Sequence, residues 1–246
     1  MVRLQSQDGI VTVTFQRPSK RNALSLELIE ALHETLDQVE KDESMRVCIF
    51  AGEGRSFCSG MDLKGVISDP QAMQQMLRRL SQVTKRIRQL PVPTIARVQG
   101  AAVGGGCGLM VVCDFAFTHP EAKLGYPEVD LGVCPAVVAP WLILKIGAGK
   151  ARTMLLAGGT ISGKQGFDAG LVTHLCDLDD LPTAVLEFAL NLAKGGKEAM
   201  KTTKHWLNEL DGSLDDSVLE KAADLSAKII AGQEAQERLL PLYGCK

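Results

Sequence analysis

The chain has 246 residues, a formal net charge of −2 and 46% hydrophobic residues. That length suits one large α/β unit with an appendage and is short for two full domains. Apolar runs fall short of the roughly 20 residues that cross a bilayer, and the cationic residues are dispersed, so neither a membrane span nor a nucleic-acid stripe is expected.

In chain order, "GIVTVTFQ" sets Val11, Val13 and Phe15 against Thr12 and Thr14, the period of a half-buried strand. After the turn "RPSKRNA", Ser25 is placed to cap a helix with Ile29, Leu32, Leu36 and Val39 on one face. "RVCIFAG" is a short buried strand, and residues 70–90 form an amphipathic helix with Met76, Leu77, Leu80, Val83 and Ile87 inward. Its end, "KRIRQL", reads as a solvated helix face. "PTIARVQG" is strand, "GGCGLMVVCD" a helix opened by glycine, and "FAFTH" strand again. This alternation argues α/β. From about Pro182 the pattern is helical only, which predicts a core over residues 1–194 and a helical region over 195–246. Helices with apolar faces and no strand of their own imply packing against another copy of the chain.

The N-terminal "MVRLQSQDGIVTVTF" resembles neither a signal peptide nor a transit peptide, so a cytoplasmic location is expected. Seven cysteines (Cys48, Cys58, Cys107, Cys113, Cys134, Cys176, Cys245) form no C-x-x-C pair and sit mostly among apolar neighbours, as reduced core residues would. Four histidines are far apart, and no metal site is expected.

Three nucleotide or hydrolase motifs fail. Leu109 and Val111 stand where G-x-G-x-x-G needs a closing glycine; Leu144 and Ala151 break the phosphate-loop pattern around "GAGKA"; Phe57 and Met61 flank Ser59 where a nucleophile elbow needs glycines. What remains is a pair of similar objects, "SFCSGMDLKG" and "AVGGGCGLMVV". Each follows a strand, passes through glycine and is expected to start a helix. Helix N-termini expose unpaired N–H groups, and two of them aimed at one point would stabilise a developing oxyanion. Pattern alone favours reading both as ordinary strand-to-helix turns.

These residues resemble the crotonase superfamily, the enoyl-CoA hydratase/isomerase family. "RPSKRNALS" is similar to its P-x-x-x-N-A-L turn, "SFCSGMDLK" to its F-x-x-G-x-D-L element, and "VQGAAVGGGCGLMVVCDFAF" to its G-x-x-x-G-G-G helix start. "LGYPEVDLGVCP" matches its P-E-x-x-L-G-x-x-P segment, and "GKARTMLLAGGTISGKQGFDAGLV" its following stretch. Five motifs in the family's order carry the resemblance. It implies a crotonase-type spiral of β-β-α turns with a C-terminal helical oligomerisation region, assembled as a homotrimer or hexamer. It implies an acyl-CoA thioester substrate and no separate cofactor, since CoA belongs to the substrate. By motif position it assigns the N–H groups of Met61 and Gly105 to the thioester oxygen, and Glu128 to acid/base work. Lys20, Ala23 and Cys58 fall to the CoA moiety, Lys20 being equally readable as a solvated loop lysine.

A carboxylate among apolar groups has a raised pKa, which suits Glu128 to proton transfer. Asp130 would point to the opposite side if the segment alternated, and is read as structural. Trp141 either shapes the acyl pocket or fills the core. Gly108 stands where typical hydratases of the family keep a first glutamate. One carboxylate favours moving a double bond from the 3- to the 2-position, whereas "AVVAPW" after Pro135 resembles methylglutaconyl-CoA hydratase-like members. Hydration and isomerisation therefore both stay open, beside decarboxylation, a catalytically silent acyl-CoA-binding subunit, and RNA binding, against which the lack of a basic stripe argues.

Overall fold

A computed structural model describes residues 1–64, 66–213 and 215–244. The chain opens with a hairpin, β1 (Val2–Gln7) and β2 (Ile10–Phe15), closed by Asp8 and Gly9, both at positive φ. Next come α1 (Leu26–Val39), β3 (Val47–Gly52), β4 (Ser56–Cys58) and α2 (Pro70–Gln89). The same order then repeats as β5 (Thr94–Val98), β6 (Ala101–Val103) and α3 (Gly105–Val111), and its strand pair recurs as β7 (Phe115–Thr118) and β8 (Lys123–Gly125). After these follow α4 (Ala139–Ile146), α5 (Ala148–Ala157), β9 (Thr160–Ser162), α6 (Gly163–Ala169) and β10 (His174–Leu175). Four helices end the chain: α7 (Leu181–Ala193), α8 (Lys197–Leu210), α9 (Asp216–Ile230) and α10 (Gln233–Tyr243).

After the first hairpin, each β-β step (β3-β4, β5-β6, β7-β8) sends its two strands into different sheets. One sheet runs β1-β2-β3-β5-β7-β10, parallel apart from the first hairpin; the other runs β4-β6-β8-β9, with β8 and β9 antiparallel. This is the spiral of β-β-α turns that the resemblance implied. Periodic segments form as their sequences predict: Ser25 caps α1 by accepting from the Leu28 N–H at 3.3 Å, and Asp69 caps α2 from Gln71 and Ala72.

One face of the six-stranded sheet carries Val11, Val13, Phe15, Cys48, Phe50 and Val98 into the main core with α1 and α2. Complete burial of such side chains contributes about 1.5–3 kcal/mol each. The opposite face, with Ile10, Val47, Ile49, Ile95 and Phe117, is covered by Leu181, Val185 and Ala189 of α7. α9 lies along α2, and Leu219, Ala223, Ile230, Ala235 and Leu239 of α9 and α10 join the main core. Buried Lys204 ties α8 to the sheet: its Nζ donates to Val92 O at 2.9 Å and to Asp114 Oδ2 at 2.8 Å.

Two sequence expectations change here. "KRIRQL" is an ion-paired seam rather than a solvated face, with Lys85 on Asp216, Arg86 on Asp37 and Glu40, and Arg88 on Asp211. Among the described residues, "SFCSGMDLKG" starts no helix; α2 begins at Pro70. Cys48, Cys58, Cys107 and Cys113 are free and buried, Cys134 and Cys176 free and partly buried; Cys245 lies outside the described residues.

Candidate active site

The turn after β2 organises one wall of the site. Pro18–Lys20 forms a 3-10 turn, and Arg21 and Asn22 follow at φ 53° and 54°. Asparagine tolerates that left-handed backbone better than most residues because its short amide bonds locally. Asn22 is fully buried: its Oδ1 accepts from Arg17 N at 2.9 Å, and its Nδ2 donates to Glu53 O at 3.0 Å and Ser56 O at 2.8 Å. Arg17 bonds Ala23 O and pairs with Asp62 at 2.9 Å. The turn is thereby sewn to the segment after β4.

That sewing sets Met61. Leu24 N donates to Gly60 O and Asp62 N to Leu24 O, both at 2.8 Å, making an isolated parallel bridge between Leu24 and Met61. In such a bridge the middle residue's own N–H points away from its partner strand. The Met61 N–H accordingly donates to no acceptor among the described residues, although it stands at a bridge and not at the helix end expected from its sequence.

Gly105 is the first residue of α3, and its N–H likewise has no acceptor among the described residues. A Cβ on Gly105 would lie 3.8 Å from Met61 Cγ, so the two segments adjoin. A Cβ on Gly106 would meet Cys58 O at 2.3 Å, which only glycine avoids; α3 therefore presses directly on β4.

Glu128 stands over the same helix end. Gly104 has φ +55°, and a Cβ there would fall 2.9 Å from Glu128 Oε1. Glu128 opens a second 3-10 turn, Val129–Leu131, and its carbonyl accepts from Leu131 N at 3.0 Å and Val133 N at 2.8 Å. Its Oε2 is sealed from solvent with no hydrogen-bond partner among the described residues. Burial pushes its pKa up to about 7, against bonding to its own backbone and helped by the negative charge of Asp130. The hydroxyl of fully buried Tyr126 also has no hydrogen-bond partner among the described residues, and burial together with neighbouring Cys107 drives its pKa upward.

Asp130 does point elsewhere, but through the 3-10 turn rather than strand alternation: its Oδ2 accepts from Gly159 N at 2.8 Å. Trp141 is buried, with Nε1 donating to Thr84 Oγ1 at 3.1 Å. At Gly108, a Cβ would lie 2.5 Å from Val138 Cγ1; valine fills the space a larger residue would need. Cys58 offers only main chain to a ligand, since its thiol is buried and pushed up to about 12 by desolvation. Lys20 is exposed and Ala23 half-buried on the organised turn. Sequence reasoning missed Arg17, Tyr126 and Val138. Asn22 carried a signal in "RNAL"; Val138, in an apolar run, carried none.

Residues 5–240 match the family model described as enoyl-CoA hydratase/isomerase. The 1,2-epoxyphenylacetyl-CoA isomerase of Escherichia coli is 30% identical over 239 residues, covering 94% of this chain and 90% of the relative. The 2,3-dehydroadipyl-CoA hydratase of the same organism is 31% identical over 204 residues, covering 82% and 80%. The crystal structure of an enoyl-CoA hydratase from Bacillus halodurans superposes with a TM-score of 0.91 at 25% identity, covering 98% of this chain and 99% of that one. With the spiral of β-β-α turns, the two unpaired N–H groups and the motifs in their family order, these matches make the chain a member of the enoyl-CoA hydratase/isomerase family of enzymes, within the crotonase superfamily.

Proposed function

We propose that the protein polarises the thioester carbonyl of an enoyl-CoA with the N–H groups of Met61 and Gly105 and moves a proton with Glu128. The observation that carries this is the sealed carboxylate oxygen of Glu128, without a hydrogen-bond partner among the described residues, beside the start of α3. With its pKa near 7, Glu128 takes a proton from the carbon next to the carbonyl. The electron pair left behind moves into the thioester, and the oxygen that becomes negative is held by the two fixed N–H donors.

In a 3-enoyl thioester the same carboxyl then returns its proton to the far carbon of the allyl system, leaving the double bond at the 2-position. Val138 in the space beside Gly108 favours this one-carboxylate reaction. The hydratase names among the relatives favour a second reading, addition of water across the 2,3-double bond, and the resemblance of "AVVAPW" makes methylglutaconyl-CoA a candidate substrate for it. The CoA moiety rests on the turn bearing Lys20 and Ala23 and against the main chain of Cys58. No step is redox, so the mechanism calls for no further cofactor. A place in fatty acid metabolism follows from this substrate class, and the free, buried cysteines support a cytoplasmic setting.

The protein works as a homotrimer or a pair of trimers. Trp206 at 56% exposure and Leu210 at 64% give α8 an uncovered apolar face that a second copy would bury. Light scattering of the purified protein checks the assembly, a monomer counting against it. Incubation with 2-enoyl, 3-enoyl and methylglutaconyl-CoA, followed by mass spectrometry of the products, checks the chemistry. Conversion of 3-enoyl-CoA is expected; conversion of none would leave a silent acyl-CoA binder.

A further inference from the structure

A second groove, of about 860 Å³, lies at the other end of β4 and β6 from Met61 and Gly105, where Ser56 and Ala101 begin those strands. Its floor is a row across the large sheet: Arg3 pairs in register with Thr14, Thr14 with Ala51, and Ala51 with Arg97. Residues in register share a face, so both guanidinium arms rise on the side that α7 covers farther along. Three strand spacings put their Cα atoms about 14 Å apart, within joint reach of one ligand. Thr14 and Ala51 between them are buried.

The groove collects Arg3, Arg97, Arg21, Arg55 and Lys123 against the carboxylates of Glu53 and Glu121, in a chain whose net charge is −2. None of these five cations has an ion pair or side-chain hydrogen bond among the described residues, although Arg17, Arg79, Arg86 and Arg88 all do. Arg97 is half-buried, and its desolvation, with Arg3 close by, holds it below the usual arginine range. Leu181 and Pro182, in the first turn of the 13-residue helix α7, form part of the rim. Like charges held together without an ion pair repel.

We propose that this groove binds a small phosphate-bearing anion of at least two negative charges, gripped by Arg97 and Arg3 and separate from the thioester site. Planar guanidinium groups fit phosphate oxygens in pairs.

The test is calorimetric titration of inorganic pyrophosphate into the full-length protein. Saturable binding is expected, weakened about tenfold or more in Arg97→Gln, as loss of a bidentate charge-assisted contact requires. Arg3→Gln, at an exposed strand edge, is expected to weaken it severalfold and serves alone if Arg97→Gln does not fold. Lys228→Gln, which removes the same charge on α9, is expected to leave binding unchanged. No saturable heat with the wild-type protein, or equal loss in Lys228→Gln, overturns the proposal. So does displacement of pyrophosphate by saturating CoA, which would make the groove part of the thioester substrate's own site; undisturbed binding in the presence of CoA supports a separate one.

Discussion

Gly104 and Glu128 are interlocked: a Cβ on Gly104 would lie 2.9 Å from Glu128 Oε1, at a backbone φ of +55°. The left-handed turn that opens α3 and the position of the carboxylate are thus one feature. Gly104→Ala is expected to destabilise the fold by about 1–3 kcal/mol through backbone strain and to push the carboxylate off the helix end. Thermal melting measures the first effect. Turnover should fall by more than the loss of folded protein accounts for.

A second interlock links Gly108 with Val138, whose Cγ1 lies 2.5 Å from where a Cβ would stand. Gly108→Ala should cost about 1–3 kcal/mol by overpacking. Adding Val138→Ala should relieve the clash, so that the double variant is more stable than the two separate losses predict by about 1 kcal/mol or more. Denaturant melts of the four proteins measure this coupling. Strict additivity would mean that Val138 does not hold the space.

Glu128 also sets a pH dependence of stability. Its folded pKa of about 7 lies above its ordinary 4.5, so the folded state holds the proton more tightly. The favourable contribution is complete below about pH 4.5 and is lost as pH rises through about 7. Glu128→Gln should therefore match the wild type near pH 4 and exceed it at pH 8 by up to about 3 kcal/mol. Melts across that range test the sign. In the wild type, kcat/KM should rise with an apparent pKa near 7, because proton removal needs the ionised carboxylate.

Much of this architecture was legible in the sequence wherever burial is periodic. β2, α1, β3 and α2 formed where their apolar residues recur, because each presents one face to a single core. β1 carries exposed side chains and had no such signal, and β4, β6 and β8 have three residues each, too few to show a period. At the site, Glu128, Met61 and Gly105 were named through family motifs, and the structure sets their segments together. The supposed helix after Cys58 was wrong because the glycine there serves a bridge to Leu24, a contact 37 residues distant in sequence (Leu24 to Met61). Alternation failed at Asp130 because a 3-10 turn has a different period from a strand. Val138 could not be found at all, since its meaning lies in the space beside Gly108.

In the proposed mechanism Glu128 carries the proton while the main chain holds the thioester. Glu128→Gln, assayed by pre-steady-state product formation and by equilibrium binding of the same enoyl-CoA, tests it directly. Turnover should fall by about 10²-fold or more, the scale of a lost acid/base group, with affinity changed less than about threefold. Undiminished turnover, or loss of binding in step with turnover, would contradict it.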